Sequence, residues 1–183
     1  LSKIKYFLAI GRLTKQKNFL FLIEVFKKFN QNKNNMLVII GDGEQKKEIL
    51  NYIKNNNLQK TVLMFNFTEN IFNYYKNSKC FILSSLWEDP GFVIVEAIYM
   101  NIPIISSNCK NGPEEILDYG DSGILFENNN KESLLKAFEK FENLTKEETL
   151  KFRINAKLKS RQFTLFNHYN RINNLFQSYE PNK

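Results

Sequence analysis

Short apolar runs alternate along the chain with segments whose apolar residues recur at helical spacing. The runs are rich in Ile, Leu, Val and Phe and have the length of buried strands, whereas the recurring pattern is typical of helices with one covered face. The sequence therefore predicts six strands, at residues 6–10, 36–40, 62–67, 80–84, 102–106 and 123–126. Helices are predicted at residues 19–29, 45–54, 68–77 and 92–100, from Pro113, and throughout the segment that follows Lys131.

This alternation predicts an α/β fold. Strands that alternate with helices imply right-handed crossovers, and hence a parallel sheet of about six strands with helices on both faces and further helices at the C-terminus. The length of 183 residues suits one domain plus an extension, and we predict a domain at 1–160 and a helical tail at 161–183. In such sheets ligands bind beyond the carboxyl ends of the strands.

Composition excludes several kinds of site. The single histidine, His168, and the two cysteines are too few for a disulfide framework, a zinc site or a Ser-His-Asp triad. Cys80 lies in an apolar run and is predicted in the core, whereas Cys109 is predicted in a polar loop. The first residue is Leu1 rather than Met, so we expect the chain to be part of a longer protein.

The net charge of +7 is compatible with binding to nucleic acid, anionic lipid or phosphorylated ligands, and equally with a solvated basic surface. Lys and Arg form no dense run interleaved with aromatic residues, so nucleic acid is not predicted as a partner. No apolar run approaches the roughly 18 residues that span a bilayer.

Two cations and several glycines follow the first two predicted strands. Arg12 comes directly after the first strand and Lys17 stands at the start of a helix, where free amides and the helix dipole favour an anion. The pattern therefore suggests a diphosphate clamp, although two solvated cations in a loop explain it about as well. Gly41 and Gly43 permit a tight turn after the second strand, which is weak evidence for a ligand.

Two glutamates after the fourth strand form the strongest candidate site. Glu88 is predicted in the loop and Glu96 one turn into the next helix, with seven residues between them. A carboxylate that faces a cleft can accept hydrogen bonds from the vicinal hydroxyls of a ribose. Glu96 stands in the apolar segment FVIVEAI, where an unpaired buried carboxylate would be costly.

These segments, in this order, resemble the C-terminal domain of the retaining glycosyltransferases with two Rossmann-like domains, the GT-B architecture, in the group called group 1 or family 4. The matching segments are GRLTKQKN, IIGDGE, EDPGFVIVEA, IPIISSNCKNGPEEIL and GDSGILF, and the match runs from about residue 5 to residue 140. The resemblance implies a Rossmann-like domain that forms one half of a GT-B enzyme, whose acceptor-binding N-terminal domain lies outside this chain.

The resemblance also implies roles for single residues. Arg12, Lys17 and Glu88 are the predicted catalytic residues: the two cations would bind the donor pyrophosphate, and Glu88 would lie near the transferred sugar. Glu96 would hold the ribose. Asn66, at a position where the family often carries glycine, would lie near the base. The predicted donor-binding residues are Gly11, Gly41, Asn66, Phe67, Asp89, Pro90, Gly91, Phe92 and Glu96.

For the whole protein, the resemblance implies sugar transfer with retention and without a metal or other cofactor. The donor would be a nucleotide-diphosphate sugar, by default UDP-linked, and the acceptor a glycan or lipid-linked molecule in cell-surface polysaccharide or glycoconjugate synthesis. The expected location is cytoplasmic, with peripheral contact to an anionic membrane as one interpretation of the charge. Alternatives are a non-catalytic module for a nucleotide or phosphorylated ligand and a GT-B nucleotide-sugar epimerase.

Overall fold

The structure, a computed structural model, describes residues 5–179. Within that range the strands are β1 Tyr6–Ile10, β2 Leu37–Ile40, β3 Val62–Phe65, β4 Ser78–Leu83, β5 Ile104–Ser107 and β6 Ile124–Phe126. The α-helices are α1 Phe19–Phe29, α2 Lys46–Asn55, α3 Phe72–Asn77, α4 Phe92–Tyr99, α5 Pro113–Ile116, α6 Lys131–Glu142, α7 Lys146–Ser160 and α8 Leu165–Tyr179. Short 3₁₀ turns lie at Lys15–Lys17, Asp118–Gly120 and Arg161–Phe163.

The sheet is entirely parallel and has the order β3-β2-β1-β4-β5-β6. The chain first moves outward from β1 to β3 and then returns to place β4 on the other side of β1. The order therefore reverses between β1 and β4, and the carboxyl ends of these two strands border the crevice where such sheets bind ligands. The predicted fold, a six-stranded parallel α/β sheet, is confirmed.

The third strand and the helix after it differ from the prediction. β3 ends at Phe65 rather than at residue 67, and α3 begins at Phe72 rather than after Thr68. The Thr68 hydroxyl accepts a hydrogen bond from the backbone amide of Asn70 at 3.2 Å, which forms a local turn instead of capping a helix. The loop after β3 is therefore longer than the sequence pattern indicated.

Helices cover both faces of the sheet, as β1 illustrates. Side chains alternate along a strand, so Phe7 and Ala9 pack on the face covered by α1, α2 and α6, whereas Leu8 and Ile10 pack on the face covered by α3, α4 and α5. Every residue of β1 is buried. This double burial explains why the strands read as continuous apolar runs rather than as alternating patterns.

An aromatic cluster joins the first face to its helices. The ring of Phe7 meets those of Phe26, Phe29, Phe138 and Phe141 edge to face, with centroids 5.1 to 6.0 Å apart. Such arrangements add to the free energy gained from burying the rings. The cluster holds α1 and α6 against the strand that leads directly to the candidate site.

The last two helices differ in how they are held. α7 packs against α4 and begins with a capping box between Thr145 and Glu148. α8 leaves a set of large apolar side chains exposed, namely Leu165, Phe166, Tyr169, Ile172, Leu175 and Phe176. α8 therefore exposes an aromatic and apolar surface, and the division of the chain at residue 160 stays a prediction.

The aromatic cluster predicts how stability responds to substitution. Phe138→Ala should lower the free energy of unfolding by about 3–5 kcal/mol, because it opens a cavity beside a fully buried ring. Urea unfolding followed by circular dichroism measures this loss. Phe166→Ala on α8 is the matched control, because that ring is 71% exposed and should cost little. Equal losses in the two variants would contradict the assignment of the core.

Candidate functional site

The loops after β1 and β2 are locked to each other by backbone contacts. The amide of Leu13 donates to the Asp42 carbonyl at 2.9 Å, and the amide of Gln45 donates to the Leu13 carbonyl at 2.9 Å. A Cβ atom on Gly41 would lie 1.9 Å from the Gly11 carbonyl oxygen, so no side chain fits at that position. The sequence predicts Gly41 as a donor contact. Packing against Gly11 alone already requires a glycine at this position.

The side chain of Lys17 reaches the crevice at the carboxyl ends of β1 and β4, the switch point of the sheet, because the local backbone directs it there. The 3₁₀ turn Lys15–Lys17 ends at Asn18, whose left-handed conformation (φ 55°) leads into α1. The aliphatic chain of Lys17 then passes over Gly11, where an added Cβ would lie 3.2 Å from the lysine Cδ and Cε atoms. Gly11 thus leaves room for the side chain that follows it.

Lys17 and Glu88 form a buried ion pair across the switch point. The Lys17 ammonium lies 2.5 Å from Oε1 of Glu88, and the two side chains are only 12% and 4% exposed. The Ser85 hydroxyl donates to the same carboxylate oxygen. Two of the predicted catalytic residues, one after β1 and one after β4, are therefore in direct contact.

Hydrogen bonds to the backbone fasten the loop of Lys17 to the loop after β4. The Ser84 hydroxyl donates to the Lys17 carbonyl at 2.8 Å, and the Leu86 amide donates to the Gln16 carbonyl at 2.8 Å. The Gln16 side-chain amide donates to the Trp87 carbonyl at 2.9 Å. The position of the ion pair is thus fixed by the backbone of both loops.

Arg12 differs from Lys17 in its surroundings. Its side chain is exposed, and among residues 5–179 no hydrogen bond or ion pair to its guanidinium is found. The site therefore combines a cation that is already paired with a cation that remains available to a ligand. A guanidinium can donate two parallel hydrogen bonds to a phosphate.

The loop from Asp89 to Phe92 lies against its neighbours without spare space. Gly91 has a positive φ of 86°, and a Cβ there would lie 3.3 Å from Cγ of Glu88. On the other side, a Cβ on Gly112 would lie 2.0 Å from the Pro90 carbonyl oxygen. No side chain caps the N-terminus of α4, which begins at Phe92, and the Phe92 ring is 61% exposed.

Glu96 lies on the second turn of α4 and is half-buried. Its Oε2 atom accepts a hydrogen bond from the hydroxyl of Tyr75 at 3.1 Å. Burial, followed by the negative charge of Glu96, raises the pKa of the Tyr75 hydroxyl above its usual range. Tyr75 therefore stays protonated and donates a hydrogen bond to Glu96. This hydrogen bond gives the carboxylate a partner within the apolar segment.

Asn66 and Phe67 follow β3, two strands away from β1. Both are exposed, the Phe67 ring to 69%, and no hydrogen bond joins them to the other candidate residues in the described part of the chain. The fold places them at the same edge of the sheet as Arg12 and Glu88. It does not bring them into contact with the ion pair.

Sequence reasoning missed three residues that shape the site: Gln16, Tyr75 and Ser85. The two serines after β4 were visible at a strand end, but no spacing rule singled out Tyr75, which lies on another helix. Cys109 lies in the loop between β5 and α5, as predicted, but its side chain is buried at 3% exposure. Burial raises the pKa of its thiol, as expected for a structural cysteine.

The described residues show neither a metal cluster nor a membrane-spanning helix. Residues 5–179 contain no group of three or more His, Cys, Asp or Glu side chains that could hold a metal ion. None of the helices within the same range is long and apolar enough to cross a bilayer.

The reversed strand order, with polar side chains gathered where it reverses, defines the chain as a doubly wound, Rossmann-like α/β domain. The sequence profile described as "Glycosyl transferases group 1" matches residues 2–159. The chain therefore belongs to the group 1 glycosyltransferase family, and its domain is one half of that family's GT-B architecture.

Three comparisons illustrate the relationship. The chain is 45% identical over 112 residues to an uncharacterized glycosyltransferase of Methanocaldococcus jannaschii. The aligned region covers 61% of this chain and 28% of that protein. It is 36% identical over 135 residues to the UDP-Gal:alpha-D-GlcNAc-diphosphoundecaprenol alpha-1,3-galactosyltransferase of Escherichia coli, covering 72% of this chain and 35% of that enzyme. The C-terminal domain of a group 1 glycosyltransferase from Francisella tularensis superposes with a TM-score of 0.76 at 20% identity, covering 89% of each chain.

The last of these similarities establishes the fold alone. The matched region spans about a third of the length of the two relatives compared by sequence.

The buried ion pair predicts a non-additive effect on stability. Glu88→Leu should lower the free energy of unfolding by about 3–5 kcal/mol, because it leaves the Lys17 ammonium buried without a partner. Adding Lys17→Met should restore most of the loss, since no buried charge then remains. Urea unfolding of both single variants and the double variant measures the coupling.

An exposed pair serves as the control for this experiment. Lys131 and Glu24 are also 2.5 Å apart, but their side chains are 58% and 47% exposed. Glu24→Leu should therefore cost less than about 1 kcal/mol. A loss in Glu88→Leu no larger than in Glu24→Leu would contradict the burial of the Lys17–Glu88 pair.

Proposed function

We propose that this domain binds the nucleotide-diphosphate sugar donor of a retaining glycosyltransferase, and that the donor is UDP-linked. The observation that carries the proposal is the Lys17–Glu88 pair at the switch point of a group 1 domain, with the exposed Arg12 in the loop directly after β1. The name of the Escherichia coli relative states UDP-Gal as its donor, which supports the choice of nucleotide.

The donor pyrophosphate would lie between Arg12 and the N-terminus of α4. Arg12 is free to donate to phosphate oxygens, and the first amides of α4 have no side-chain cap. The diphosphate would then approach Lys17 and compete with Glu88 for the ammonium. Gly11, Asp89, Pro90, Gly91 and Phe92 are proposed to line this part of the site.

The two ends of the donor would be held by different residues. Glu96 would accept hydrogen bonds from the ribose hydroxyls through the oxygen that Tyr75 leaves free. The base would stack or hydrogen-bond near Asn66 and Phe67, whose exposure leaves room for it. Glu88, tied to Lys17, would lie on the side of the transferred sugar.

The proposed catalysis is electrostatic. Breaking the bond between the sugar and the diphosphate leaves negative charge on the departing nucleoside diphosphate. Arg12, Lys17 and the N-terminal amides of α4 would stabilise that charge as it develops, and Lys17 and the amides are already held in place before the reaction. We propose that transfer occurs with retention at the anomeric carbon and without a metal ion or other cofactor.

The acceptor side is proposed to lie in the other half of the GT-B architecture. The acceptor would be a glycan or lipid-linked molecule, used in cell-surface polysaccharide or glycoconjugate synthesis, as the diphosphoundecaprenol in the name of the Escherichia coli relative suggests. The protein would act in the cytoplasm, and the net charge of +7 favours peripheral contact with an anionic membrane surface.

The proposal predicts that Arg12→Ala slows sugar transfer in the protein that contains both halves. Loss of one cation beside the leaving group should lower kcat by on the order of a hundredfold. Steady-state release of the nucleoside diphosphate measures the rate. Lys136→Ala, which removes an exposed cation on α6, should leave it unchanged. Activity near the wild-type level in Arg12→Ala would refute the assigned role.

The proposal also predicts that the 183-residue chain binds the nucleotide weakly and transfers no sugar alone, because the acceptor half is proposed to lie outside this chain. Isothermal titration calorimetry with UDP, GDP and ADP tests binding. Absence of binding to all three at concentrations on the order of millimolar would favour a non-catalytic scaffold instead. Sustained transfer by this chain alone would overturn the division of labour, and release of a free sugar epimer would favour an epimerase.

A further inference from the structure

Tyr75 connects the buried face of the sheet to the proposed ribose site. Its side chain is fully buried and packs on the ring of Phe81, with centroids 5.6 Å apart. Only its hydroxyl meets polar atoms, and its single proton is shared between two acceptors, Oε2 of Glu96 at 3.1 Å and the Val93 carbonyl at 3.2 Å. A buried hydroxyl needs such a partner, because leaving it without one is costly.

The geometry of this contact leaves one side of the Glu96 carboxylate available. Oε2 accepts from Tyr75, whereas Oε1 accepts no hydrogen bond within residues 5–179. A glutamate side chain has several rotatable bonds, and holding it in one conformation during ligand binding costs entropy. Tyr75 is itself fixed by packing, so it can hold the carboxylate in place before a ligand arrives.

We propose that Tyr75 is a positioning residue that orients Glu96 toward the vicinal hydroxyls of the nucleotide ribose. This inference rests on the proposed function and adds a determinant of specificity to it. With the carboxylate held in place, the site should prefer a ribonucleotide to an analogue that lacks both hydroxyls. Without Tyr75 the nucleotide should still bind through its diphosphate, but the preference should fade.

Binding of UDP and of 2′,3′-dideoxy-UDP to the 183-residue chain tests the inference. Calorimetry should show that the wild-type chain binds UDP about tenfold more tightly or better, because two hydrogen bonds to a carboxylate are lost in the analogue. In Tyr75→Phe the preference should fall to about threefold or less, through weaker binding of UDP. The affinity for the dideoxy analogue should hardly change.

Two further variants separate positioning from a general loss of structure. Tyr74→Phe removes a hydroxyl from the neighbouring position of α3 and should keep the full preference. Glu96→Gln should lose the preference, and adding Tyr75→Phe to it should cause no further change, because the two residues act in one contact. Thermal unfolding of each variant verifies that it is folded.

The outcomes distinguish a failure of the proposed function from a failure of the positioning role of Tyr75. Failure of the wild-type chain to bind UDP would overturn the proposed function together with this inference. Binding of UDP with an unchanged preference in Tyr75→Phe would overturn the role of Tyr75 alone. Loss of affinity for both ligands in equal proportion would likewise show that Tyr75 acts only on the fold.

Discussion

The ion pair between Lys17 and Glu88 joins the two halves of the sheet at the point where the strand order reverses. One partner follows β1 and the other follows β4, and both are almost completely buried. Because a buried charge without a partner is expensive, each residue requires the other. Backbone contacts between the two loops, and the glycine beneath the lysine chain, bring these two side chains together.

This constraint gives the site its electrostatic character. In the free protein the Lys17 ammonium is paired with Glu88, whereas the Arg12 guanidinium remains exposed and available to a ligand. A diphosphate that enters the crevice therefore meets one free cation at once and a second that it must share with Glu88. In the proposed complex Glu88 would lie near the bond that the reaction breaks, and the carboxylate of Glu96, which accepts from Tyr75, would hold the ribose.

Much of the fold could be predicted from the sequence, because strands covered on both faces leave long apolar runs and the helices between them keep their periodicity. The positions of Glu88 and Glu96, in a loop and on the next helix, follow from the same pattern. The predicted start of α3 was wrong because Thr68 closes a local turn instead of capping the helix. The contact between Lys17 and Glu88 and the role of Tyr75 depend on side chains distant in sequence, which periodicity does not reveal.

The switch point between β1 and β4 is proposed to bind the diphosphate of a nucleotide, and the chemical shifts of the chain test this most directly. Amide chemical shifts of the nitrogen-15-labelled chain, compared between UDP and uridine, isolate the effect of the two phosphates. If the diphosphate binds there, the shifts that distinguish the two ligands concentrate in residues 11–17 and 88–96. Shifts concentrated on α2 or α6, or no difference between UDP and uridine, would contradict it.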